Sequence, residues 1–320
     1  MTRMRAFCKP TRHHTSRQRP FPALAALLVV LVGAPAGVGA WEWPLASFRI
    51  DAGFGQLRNG NVTTAVWLSA QEPAVSAAHP GEVIFTRVEN GSGAASPHGY
   101  GNFVVLEHED GLRSVYANMG AVTTRADPTV SQGDTLGTVG VSGFAYGDQL
   151  GFHLIDEELG QLVNPFLILP SLEDSQPPVI QGVFLQRGDE LIPVNPQTAV
   201  DVGTTFQVLV EAYDTVESTS GTRRVPPKSV TVTLGEQQPR AISFDTMQYG
   251  DNRFRLASGQ PVDALYLGQT RMRLEEVTVG TEPTSLVIRV EDFAGNRASA
   301  EYRLLPQAGP AAEEGTSGSS

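Results

Sequence analysis

Beyond residue 40 the chain offers no stretch of useful length with the 3.6-residue hydrophobic period of a helix. It offers alternation over short runs instead, cut by many of its 33 glycines and 22 prolines, which favour frequent turns. Phe103, Val105 and Glu107 alternate with Val104, Leu106 and His108, and Glu109-Asp110-Gly111 supplies a turn before the chain returns through Leu112-Arg113-Ser114-Val115-Tyr116. Later, Phe206, Val208, Val210 and Ala212 share one face, as do Val230, Val232 and Leu234, and Leu286, Ile288 and Val290. A sequence patterned in this way folds as sheets, so the expected class is all-β. With 41% hydrophobic and 18% charged residues it has the means to bury a core.

The ends read differently. Residues 1–40 carry Arg3, Arg5, Lys9, Arg12, Arg17 and Arg19 and no acid, then an apolar run from Ala23 to Val32, then small residues ending Val38-Gly39-Ala40. This is the pattern of a secretory signal peptide cut after Ala40, with an apolar run short for a membrane span. The chain is therefore expected to be exported, to the periplasm or beyond the cell, with no transmembrane segment after cleavage. The only cysteine, Cys8, falls in the segment to be removed, so the mature chain has no disulfide and no thiolate ligand. Six of the 23 Lys and Arg go with it, which leaves 17 against 34 Asp and Glu, a formal net charge of −17. Nucleic acid is a poor partner for such a surface, because phosphate binding needs clustered cations. Residues 171–178, rich in Ser, Pro, Glu and Asp, read as a linker between a first domain over 41–170 and a second over 179–306. Residues 307–320 read as a disordered tail.

Within the first domain, Gly99-Tyr100-Gly101-Asn102 precedes the hairpin, Tyr116-Ala117-Asn118 ends it, and a Gly-rich stretch through Gly133, Gly137 and Gly140 leads to Gly151-Phe152-His153-Leu154-Ile155. This order resembles the LytM-type, lysostaphin-like zinc metallopeptidases that cut peptide cross-bridges in bacterial peptidoglycan. Their pattern runs Gly-Tyr-Gly-Asn, a hairpin, Tyr-Ala-His, a Gly-rich hairpin and His-Leu-His. The resemblance implies a LytM-type β-sheet core, of the barrel-sandwich hybrid kind. In the second domain, Ala212-Tyr213-Asp214 and Val290-Glu291-Asp292-Phe293-Ala294-Gly295-Asn296 resemble the strand-to-turn signatures of bacterial Ig-like sandwiches.

The family's chemistry needs a zinc held by two histidines and an aspartate, with an open position for water, and two further histidines as general base and charge stabiliser. Counting back from Ala77-Ala78-x-x-Gly81 places Thr63 and Trp67 at the first two ligand positions. Taking His153 as the first histidine of His-x-His places Ile155 at the third. Asn118 stands where Tyr-Ala-His has its catalytic histidine. None of Thr63, Trp67, Ile155 or Asn118 brings an imidazole or a carboxylate, so the chain is identified as a degenerate member, without catalytic residues, metal ligands or cofactor. Zinc is expected only if that reading fails, with His79, His98, His108, Asp148 or Asp156 as substitutes near His153. The former groove, lined by Thr63, Trp67, Tyr116, Asn118, His153 and Ile155, is expected to bind an envelope protein such as a cell-wall hydrolase, or peptidoglycan peptide. The alternatives are an active zinc endopeptidase and a purely structural envelope component.

Overall fold

The computed structural model describes residues 40–70, 72–89, 99–123, 127–218 and 221–308. The expected signal peptide, Ala40 apart, the tail beyond residue 308 and His98 lie outside them. Among the described residues every regular element is a strand, except two three-residue 3-10 turns, Pro165–Leu167 and Val262–Ala264. The protein is all-β, as the alternation predicts, and no described helix is long and apolar enough to cross a membrane.

The first half is built on one antiparallel sheet. Its central strand, Leu112–Val122, pairs on one side with Asn102–Glu107 and on the other with Leu150–Asp156, and Asn102–Glu107 passes the sheet on to Gly81–Arg87. Val66–Ser69 joins the free end of Leu150–Asp156 and carries Arg49–Ala52 at its other edge. Strand parity decides what each face receives. Leu150, Phe152 and Leu154 turn into a core with Val66, Leu68, Tyr116 and Met119, whereas Gly151, His153 and Ile155 take the opposite face. The N-terminal aromatics pack on this half as a strap: Trp41 stacks on His79 at 4.7 Å between ring centroids, and Trp43 Nε1 donates to the carbonyl of Pro170.

The second half is a sandwich. A six-stranded sheet centred on Val179–Arg187, Thr205–Ser218 and Arg271–Thr278 faces a five-stranded sheet centred on Ser229–Leu234, Thr284–Glu291 and Arg297–Gln307. The core between them holds Phe206, Val208 and Val210 from one sheet against Val230, Val232, Leu234, Leu286, Ile288 and Val290 from the other, the sets whose alternation marks them in the sequence.

Residues 171–178 form no strand, yet the halves are joined more intimately than a linker alone would join them. Gln161–Val163, the last strand of the first half, pairs in register with Thr246–Gly250, so that Gln161 faces Gln248 and Val163 faces Thr246. The sheet thus runs on into Arg253–Leu256 of the second half. Phe54 leaves the first half to enter the sandwich core beside Phe244, and Val216 and Val225 enter the core of the first half. Asn164 fixes the crossing point. It is buried, its Nδ2 donates to the Phe244 carbonyl at 2.9 Å, and its Oδ1 caps the following 3-10 turn by accepting from Phe166 N. At Gly55 a Cβ would stand 2.3 Å from the Phe244 ring, and φ is +79°, so this contact requires glycine.

Candidate functional site

The site is assembled where two loops meet at the end of the central strand. Gly101 and Gly143 both have positive φ, +57° and +63°, and a Cβ on Gly143 would fall 2.4 Å from Gly101 N. Side-chain-free backbone there lets residues 99–101 lie directly on residues 142–144. Ser142 locks the approach: its Oγ donates to the Met119 carbonyl and accepts from Asn102 N.

Asn118 hangs from this junction in the left-handed conformation, φ +64°, which asparagine tolerates better than most residues. Its N–H donates to the Tyr100 carbonyl, and its Nδ2 donates to the carbonyls of Gly99 at 3.0 Å and Ser142 at 2.9 Å. With both amide hydrogens committed, Oδ1 turns toward the sheet, where it is buried and has no partner.

His153 meets it there. Its ring is buried beneath Tyr100, 4.8 Å between centroids, and its Nδ1 lies 3.1 Å from the carbonyl of Thr64. A carbonyl only accepts, so Nδ1 carries the proton and Nε2 presents a lone pair. Burial holds the imidazole pKa down to about 4, with the Thr64 bond opposing it, so the ring is neutral at physiological pH. Nε2, like Asn118 Oδ1, is buried and unpartnered. Between the two stands Gly151, whose missing Cβ would lie 3.1 Å from Asn118 Oδ1 and 3.6 Å from His153 Nε2. Two hydrogen-bond acceptors therefore converge over one glycine.

The remaining sequence-designated positions scatter around this pair. Trp67 lies directly across from Gly151 and on the same face, with the Arg58 guanidinium 4.6 Å over its ring. Ile155 shares the face but sits two residues further along, across from Arg113 and away from Asn118. Thr63 turns the other way: its Oγ1 donates to the Gly53 carbonyl, and it is the next residue, Thr64, that reaches His153. Tyr116 does not line this face. Paired with Phe152 on the core side, it is fully buried, and its hydroxyl accepts from Ala78 N at 2.8 Å. Among the described residues the other histidines are placed elsewhere: His79 and His108 pack with Trp41, and His108 spans Pro80 O and Ser114 Oγ. Thr64 and Arg58 belong to none of the motifs read in the sequence, and Tyr100 and Gly151, though within them, are not assigned to the groove there. The alternation Gly151-Phe152-His153 was the available signal for Gly151, since residues two apart share a face.

These donors do not suit the zinc that the resemblance implies. A catalytic zinc takes three protein ligands from imidazole, carboxylate or thiolate, and among the described residues no three such groups converge at His153. The pair present is one imidazole nitrogen and one neutral amide oxygen. Nor can it stabilise a developing oxyanion, a task that needs donors. What it can do is receive N–H or O–H groups.

Residues 62–165 match the profile of Peptidase family M23. This part of the chain is an M23 domain. A second family profile covers residues 177–305. Among curated proteins, the M23 half is similar to the cell division protein DipM of Caulobacter vibrioides, 28% identical over 164 residues, 47% of this chain and 26% of that one. It is likewise similar to the murein hydrolase activator NlpD of Escherichia coli, 28% identical over 133 residues, 42% of this chain and 32% of that one. The Pseudomonas aeruginosa lipoprotein NlpD/LppB homolog is 30% identical over 142 residues, 44% of this chain and 43% of that one. The chain thus spans about a quarter to two-fifths of the length of these relatives. Among solved structures, the catalytic domain of the prophage-encoded M23 protein EnpA from Enterococcus faecalis aligns with 39% of this chain and 94% of its own, at 24% identity and a TM-score of 0.33.

Proposed function

We propose that the M23 domain of this exported chain recognises without cutting: it acts in the bacterial envelope as a non-catalytic module that engages a partner protein, a cell-wall hydrolase, through the former active-site face. The observation that carries this reading is the exposed aromatic rim over His153 and Asn118, where among the described residues no three zinc ligands converge. Asn118 Oδ1 and His153 Nε2 are both buried, so the donor they would receive is an enclosed water rather than a group of the partner, which meets the exposed rim instead. Around them the rim is aromatic: Tyr100, Phe144 packed against Gly99, and Tyr146, with Arg58 stacked over both Tyr146 and Trp67. Phe144 and Tyr146 are about two-thirds exposed, which is unusual for large rings and suits a protein interface. The name of the related NlpD, a murein hydrolase activator, supports the choice of partner. Peptidoglycan peptide, rich in amide donors, is the other ligand this face suits.

The test uses the mature protein and purified peptidoglycan. Zinc by mass spectrometry should be far below one per chain, cleavage by the protein alone should be absent, and clearance by an added cell-wall amidase should rise. Stoichiometric zinc together with chelator-sensitive cleavage by the protein itself would overturn the proposal.

A further inference from the structure

The second unassigned feature lies at the junction between the halves. Asp174 in the connecting segment, Asp214 on the long strand Thr205–Ser218 and Asp292 in the turn after Thr284–Glu291 bring one carboxylate oxygen each to within 4.8 Å of one another. Asp214 and Asp292 are buried and Asp174 half-buried. Each gives one oxygen to a backbone N–H: Asp174 to Gln176, Asp214 to Thr215 and Asp292 to Asn296. The other oxygen of Asp292 is fully buried and accepts nothing. Among the described residues no Arg or Lys is paired with any of the three. Beside them is a cavity of about 30 Å³ lined by Phe166, Leu172, Asp214, Val216 and Phe293.

We infer that Asp174, Asp214 and Asp292 form a calcium site that pins the connecting segment to the sandwich. Three carboxylates gathered out of water without a cation repel one another, and burial adds to the cost. Oxygens bound to one calcium at about 2.3–2.6 Å lie within roughly 5 Å of each other, as these do. All-oxygen donors select a hard cation over zinc or copper. Magnesium demands a near-octahedral shell at about 2.0–2.1 Å and gives up water reluctantly, whereas calcium accepts an irregular set of carboxylate, carbonyl and water oxygens, which suits three carboxylates drawn from separate segments. The Asp292 oxygen that lacks a partner then has one. The Asn296 side chain, donating to the Asp174 carbonyl, holds the connecting segment in reach of the turn.

This site stands apart from the acceptor pair and does not depend on the proposed function. Its test is calcium titration of the intact mature protein by calorimetry and thermal melting. One calcium per chain should bind, and saturation at a hundredfold excess over the dissociation constant should raise the melting temperature by about 5 °C. Asp174→Asn, at the half-buried position where folding is least at risk, should weaken binding at least tenfold, as should Asp292→Asn if it folds. Absence of binding at 10 mM calcium, equal binding of magnesium, or unchanged affinity in Asp174→Asn would overturn the assignment. So would a trio relieved by a proton, seen as a melting temperature that rises from pH 8 to pH 6 without calcium and is then indifferent to it.

Discussion

Replacing Phe244 by alanine should lower the free energy of unfolding by roughly 3–5 kcal/mol, the cost of emptying a fully enclosed phenylalanine site. The loss should not stay in the sandwich. Phe244 fills the space above Gly55, its carbonyl accepts from Asn164, and its neighbour Phe54 comes from the M23 half. Calorimetry should therefore show one transition moving down as a unit. Two transitions, with only the later half displaced, would mean that the shared sheet does not couple the halves.

The second large effect is a pH dependence centred on His153. In the folded protein burial holds its pKa near 4, against an ordinary value near 6.5 when unfolded, so between those values the unfolded chain takes up the extra proton. Stability is then fully present above about pH 6.5 and falls as the pH drops toward 4, by roughly 3 kcal/mol in all. Burial also lowers the pKa of His108, which adds to the slope in the same direction. Denaturant unfolding from pH 7.5 to pH 4, for the wild type and His153→Gln, separates the two. The variant should lose most of the slope. An unchanged slope, or a His153 ring that titrates near pH 6.5 by NMR, would contradict a buried neutral imidazole.

What was legible in the sequence and what was not have physical causes. Strand faces are written locally, so the buried sets around Phe206, Val230 and Leu286 and the hairpin closed by Asp110-Gly111 can be read from a few residues at a time. That Thr63, Trp67, Asn118 and Ile155 bring no acid or imidazole is equally local. Convergence is not. Asn118 and His153 meet only because the left-handed turn at Asn118 and the register of Leu112–Val122 against Leu150–Asp156 place both beside Gly151, a residue whose contribution is an absent side chain. The pairing of Gln161–Val163 with Thr246–Gly250 spans some eighty residues and carries no hydrophobic signature of its own. The three aspartates lie on separate segments, and each taken singly reads as a turn or strand-end acid.

The sheet that passes from Gln161–Val163 into Thr246–Gly250 has a practical consequence for anyone dissecting this chain. The stretch after residue 170 looks like the obvious place for scissors, yet a fragment ending there would carry a bare, hydrogen-bond-hungry margin and a vacant hollow where Phe244 had been. Such a margin is an invitation to a second chain. A shortened product would be expected to stick to its own kind, and the aggregation would say nothing about how the intact molecule behaves.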